Sequence, residues 1–213
     1  MLTGDLVKSS TFGAKRVDAL RTLHELFDAV KKNMPKDIDM YISDIFRGDS
    51  FQIVVSDAEY AFLTAIFLRA QLIRKSTEGI AFDARISIGI GDVEYLHRGK
   101  ITESDGEAFQ LSGRFLDEMP TFRRFVITTS SEEQNKILDV FSAFVDALTS
   151  RWTPEQAEAM SHWIFGETQT SMAKKLGVTQ SAIQQRLQLA GHFAIDACRK
   201  YFASIMQKYK AQG

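Results

Sequence analysis

The chain has 213 residues, of which 45% are hydrophobic and 25% charged, with 3 Pro and a net charge of −1. That composition is ordinary for a globular protein, and no apolar run approaches the ~20 residues of a membrane helix. The first residues carry neither the basic start nor the apolar core of a signal peptide, and the single Cys198 rules out a disulfide framework or a cysteine-rich zinc site. A cytoplasmic protein with no membrane partner is expected.

Charge divides the chain. Residues 1–150 carry 18 Lys/Arg against 23 Asp/Glu, a net −5, whereas residues 151–213 carry 8 against 4, a net +4. A basic tail behind an acidic body points to an anionic partner for the tail alone.

In chain order, residues 1–5 read as a short strand ending in Gly4-Asp5, followed by a polar loop containing Lys8, Ser9 and Ser10. Val17, Leu20, Leu23, Phe27 and Val30 recur at steps of three and four, predicting an amphipathic helix over 14–32 that Pro35 ends. Two apolar runs, 40–45 and 52–55, flank the turn Phe46-Arg47-Gly48-Asp49-Ser50-Phe51, a hairpin signal because Gly and Asp tolerate positive φ. Asp57 is placed to cap a helix over 58–75 that turns Ala61, Phe62, Ala65, Leu68 and Leu72 inward. Alternation of Phe82, Ala84, Ile86, Ile88 and Ile90 with polar residues predicts a strand over 82–91, with a returning strand at 93–96. A helix over 107–118, stopped by Pro120, a strand over 124–129 and a helix over 131–150 follow. The first six elements form a βαββαβ series, so an antiparallel ferredoxin-like sheet with helices on one face is expected. Two carboxylates at the ends of adjacent strands, Asp5 and Asp49, are placed to hold Mg²⁺ or Mn²⁺, and such ions hold triphosphates.

Thr153 and Pro154 restart the chain with a cap and a first-turn proline. Short helices are expected over 153–165, 169–176 and 179–189, then a longer one over 192–208. Between the second and third, Leu176-Gly177-Val178-Thr179 supplies a tight corner, a buried Val and a cap, the signature of a helix-turn-helix. Ala173 is small where the helices cross, and Ile183 and Leu187 face inward. Gln180, Ser181, Gln184, Gln185 and Gln188 then face outward, glutamine being suited to adenine in the major groove. Lys174, Lys175 and Arg186 are placed to meet phosphates, and Thr179 caps beside them. Three cations give low, salt-sensitive affinity to a monomer, so two copies are expected to act together. Met160, Trp163, Ile164 and Phe165 read as core, as do Phe193, Ala197, Tyr201 and Ile205 unless that stripe is a dimer seam.

Thr3-Gly4-Asp5, Gly48-Asp49-Ser50-Phe51-Gln52 and Asp105-Gly106-Glu107-Ala108-Phe109 occur in the order in which similar motifs stand in class III nucleotidyl cyclases and, closer still, in the small bacterial SatD-type proteins. The resemblance covers roughly residues 1–130. It implies that Asp5 and Asp49 hold metal ions on a nucleotide, with Gly48 and the Lys8, Ser9, Ser10 loop beside it. It also implies that Gln110 and Arg114, one turn apart on a helix, meet developing charge from a partner subunit. This chain has Gln110 where cyclases carry Asn, and Ile45 where they carry a base-reading Lys or Glu. The tail resembles the helix-turn-helix of bacterial regulators and of sigma-factor region 4 over residues 152–190.

These readings define an α+β protein: a cyclase-like domain over 1–129, a connecting helix over 130–150 and an all-α helix-turn-helix domain over 151–213. The expected function is a DNA-binding transcriptional regulator, a homodimer sensing a nucleotide with or without a metal. The alternative is a metal-dependent cyclase or related phosphoryl-transfer enzyme.

Overall fold

The computed structural model describes residues 1–7, 16–42, 49–77 and 81–210. Lys8, Ser9, Ser10, Ile45 and Gly48, and the side chains of Val17 and Leu20, lie outside them.

The chain is α+β. A five-stranded mixed sheet is built from β1 (Leu2–Leu6), β2 (Met40–Ile42), β3 (Ser50–Val55), β4 (Ala84–Gly89) and β5 (Phe125–Thr128), in the order β2-β3-β1-β4-β5. The first four are joined antiparallel, with Asp5 opposite both Ser50 and Arg85; β5 runs parallel to β4. The sheet is therefore mixed rather than wholly antiparallel. The expected strand at 93–96 is reduced to a single bridge between Tyr95 and Asp105, because among the described residues the exposed stretch around it has no neighbouring strand to extend against.

Alternation sorts the strands' side chains. Leu2, Phe51, Ile53, Ile86, Ile88, Phe125 and Ile127 are buried in the main core beneath α1 (Arg16–Asn33), α2 (Ala58–Ile73) and α4 (Glu132–Thr149). Thr3, Asp5, Ser87 and Arg85 turn to the other face, where α3 (Glu107–Asp117) packs on β1 and β4. Helices thus cover both faces, not one as expected. The α3 backbone approaches closely because Gly89 has no side chain: a Cβ there would lie 2.6 Å from the Ser112 nitrogen.

In α1, Leu23, Phe27 and Val30 are buried as the spacing predicts. Asp57 caps α2 by accepting from the Glu59 and Tyr60 amides. The five expected inward positions of α2 are buried, but so are Leu63, Thr64, Ile66, Phe67, Arg69, Ala70 and Ile73. A helix apolar all round must be surrounded, and α2 is: the sheet lies on one side and the C-terminal helices on the other. These are α5 (Pro154–Trp163), α6 (Gln169–Leu176), α7 (Gln180–Leu189) and α8 (His192–Lys210). Phe62 meets Phe125, Phe141 and Phe202, and Phe67 meets Phe165 at 4.9 Å. One hydrophobic core therefore spans the start of α5 without interruption.

Arg69, fully buried on α2, closes that core. Its guanidinium donates to both Asp83 oxygens, to Asp146 at 2.8 Å, and to the Thr149 and Ser150 hydroxyls. Asp146 in turn accepts from the Arg124 amide at the mouth of β5. A buried guanidinium is tolerable only when paired and bonded at this density. No helix among the described residues is long and apolar enough to cross a membrane.

Candidate functional site

Two regions gather the residues singled out by the sequence. The first is a cleft of about 480 Å³ on the α3 face of the sheet, lined by Thr3, Asp5, Ser50, Gln52, Thr102, Gly113, Leu116 and Asp117. Its floor is set by register. Thr3 opposes Gln52 and Asp5 opposes Ser50, so the two motifs that resemble cyclase sequences lie side by side on adjacent strands. Asp49 precedes Ser50 directly and stands at the same end of the sheet as Asp5. Thr3 is tied to Ser112 on α3 through their hydroxyls at 2.8 Å.

The Asp5 carboxylate is engaged across the sheet. Arg85, opposite it on β4, donates from Nε to one oxygen at 3.0 Å and from a terminal nitrogen to the other at 2.6 Å. This is the two-pronged geometry in which Arg binds carboxylate best. Hydrogen bonding to Asp5 raises the Arg85 pKa further above its ordinary range against the cost of partial burial, and the charges of Asp5, Asp117 and Asp49 add to the effect. The carboxylate expected to hold a metal ion is thus paired with a guanidinium. Among the described residues no cluster of three or more His, Cys, Asp or Glu is arranged to hold a metal.

Gln110 and Arg114 are not part of this cleft. Both are exposed on the outer side of α3; Gln110 reaches Asp105 at 3.4 Å and Arg114 lies over the Phe115 ring. The Asp105-Gly106 step has an architectural cause. Gly106 begins α3 at φ 143°, its amide bonds the Asp105 carboxylate at 2.7 Å, and a Cβ would lie 2.7 Å from the Asp92 carbonyl oxygen.

The second region is the α6–α7 corner. Thr168 and Thr179 cap the two helices through their hydroxyls, and Gly177 closes α6 in the left-handed conformation at φ 66°. Ala173, Ile183 and Leu187 are buried and Val178 half-buried, while Thr179, Gln180, Ser181, Gln184, Gln185 and Gln188 are exposed together. The cations are less uniform. Lys174 is exposed, Lys175 bonds Glu167 at 2.8 Å, and Arg186 lies 3.8 Å from Glu158 on α5. Glu167 is the hub of its turn. Burial alone would raise its pKa, but hydrogen bonds from Lys175, Ser171 and His162 outweigh that and hold it at about 2.

Sequence reasoning missed Arg85, Arg69 and Glu167. Asp5 and Arg85 lie 80 positions apart, so only strand pairing brings them together; the place of Arg85 on the polar side of a strongly alternating strand was the available signal. Comparison with protein-family models, with curated proteins and with solved structures finds no match to this chain.

Proposed function

We propose that the chain is a SatD-like, DNA-binding transcriptional regulator. Residues 151–213 form a helix-turn-helix domain that reads duplex DNA through α7, and residues 1–129 form a ferredoxin-like, cyclase-like domain that senses a nucleotide. The observation that carries this reading is the α6–Gly177–α7 corner, whose second helix buries Ile183 and Leu187 and exposes four glutamines and a serine. An exposed helix face rich in amides and poor in carboxylates suits base edges, with Lys174 and Lys175 beside it for phosphates. The β2-β3-β1-β4 neighbours, all antiparallel, support the ferredoxin-like assignment. The polar cleft above Asp5 has the volume of a small-ligand site, and Asp5 is already neutralised by Arg85, which favours binding over metal-dependent turnover. Two copies on one operator would read half-sites one helical turn apart.

The test is selection of bound fragments from a random duplex pool, followed by fluorescence anisotropy. Enrichment of one motif is expected, with affinity falling steeply as salt rises. Gln184→Ala then costs about 1–3 kcal/mol at its base pair, and saturating nucleotide with Mg²⁺ shifts the affinity about fivefold or more. A pool that stays random overturns the proposal.

A second reading, a metal-dependent cyclase, draws on the exposure of Gln110 and Arg114, which leaves both available to another chain's cleft. Incubation with each nucleoside triphosphate and Mn²⁺ decides it: a cyclic product that Asp49→Ala abolishes supports it, and no product retires it.

A further inference from the structure

We propose that two copies of this chain associate through the outer faces of α4 and α8. Among the described residues nine large hydrophobic side chains are exposed, and six of them stand on α4, on α8 or at the α7–α8 corner. They are therefore not the singly scattered apolar residues of an ordinary surface. On α4, Ile137, Val140 and Phe144 are 48%, 57% and 68% exposed and follow steps of three and four along one flank. On α8, Phe193, Ala197 and Tyr201 repeat every four residues and are exposed too, Phe193 at 75%.

The two stripes run side by side. Phe141, beside Val140, stacks on Phe202, beside Tyr201, with ring centres 5.9 Å apart. At the other end of α4, Leu148 lies 3.3 Å from where a Cβ on Gly191 would stand. The face is thus one continuous two-helix surface whose inner side is already packed as core.

A second copy is the occupant that this surface fits. Taking about 200 Å² for each fully exposed large side chain, the five on α4 and α8 offer about 600 Å², most of the ~800 Å² per partner of a standard interface. A two-helix face applied to itself about a two-fold axis makes a four-helix layer, a self-complementary arrangement. Exposed Glu133 and Lys136 on α4 give its rim both signs of charge, so identical copies are not driven apart. The inference names the surface for the pairing invoked on the operator and rests on that pairing alone. Its test is made without DNA or nucleotide, so failure here and failure of DNA recognition are separate results.

The experiment is sedimentation of the full chain over a concentration series. The wild type is expected at twice the mass of one chain. Phe144→Glu and Phe193→Glu, on different helices and at exposed positions, are each expected to weaken the dimer more than about tenfold in Kd with helical circular dichroism unchanged. Tyr95→Ser, at an exposed position in the segment before α3, leaves association as it was. Val140→Cys is expected to form a disulfide-linked dimer on oxidation that Tyr95→Cys does not. A wild type that stays monomeric, leaving the face to some other protein, overturns the proposal. So does a dimer that both glutamate variants leave intact.

Discussion

Gly4 on β1 and Phe51 on β3 stand directly opposite one another, and a methyl group at Gly4 would lie 2.5 Å from the Phe51 ring. The glycine of the first motif is there so that the phenylalanine of the second can lie across it and meet Phe27. Gly4→Ala is expected to cost about 1–3 kcal/mol by overpacking, read as a lower urea midpoint. Phe51→Leu in the same chain recovers only part, because the Arg85 carbonyl oxygen also crowds that Cβ at 2.8 Å.

Arg69 holds Asp83 and Asp146 where neither can reach bulk water freely. Arg69→Ala leaves both carboxylates uncompensated, and a loss of about 3–5 kcal/mol is expected. Asp146→Asn keeps the volume and the acceptor to the Arg124 amide, so a smaller loss is expected from the same denaturant titration.

Arg85 competes with any cation for Asp5. Arg85→Ala is expected to raise Mn²⁺ affinity about tenfold, worth about 1.4 kcal/mol, as followed by electron paramagnetic resonance. Asp5→Asn added to that variant abolishes the gain. Unchanged Mn²⁺ affinity in Arg85→Ala removes the case for a latent metal site.

Glu167 carries a pKa held near 2, against an ordinary value of 4.5. A depressed carboxyl contributes stability that is present above pH 4.5 and lost as the pH falls through about 2. Glu167→Gln is therefore expected to lower the urea midpoint near neutral pH, and the difference from wild type closes as the titration approaches pH 2.

Local chemistry was legible in the sequence wherever its cause was local. Asp57, Thr153 and Thr179 cap the helices they were expected to cap, because a cap and its amides lie within three residues. The helices after residue 150 begin and end within a few positions of expectation for the same reason. What was not legible depends on partners distant in the chain. Periodicity assigned α2 a single inward side, and it buries all sides because α5 and α8 return to cover it. The same rule marked Phe193, Ala197, Tyr201 and Ile205 as core, but α8 turns Ile195, Phe202 and Met206 inward; of the four only Ile205 packs on the core, half-buried. Of the two expected carboxylates only Asp5 lines the cleft, and its pairing with Arg85 is something no spacing near Asp5 or Asp49 could announce.

Phe125 of the sheet and Phe165 and Phe202 of the C-terminal helices all pack on α2, so the two halves of the chain share a single core. Heat or urea is therefore expected to dismantle the sheet and the C-terminal helices together, in one transition rather than two.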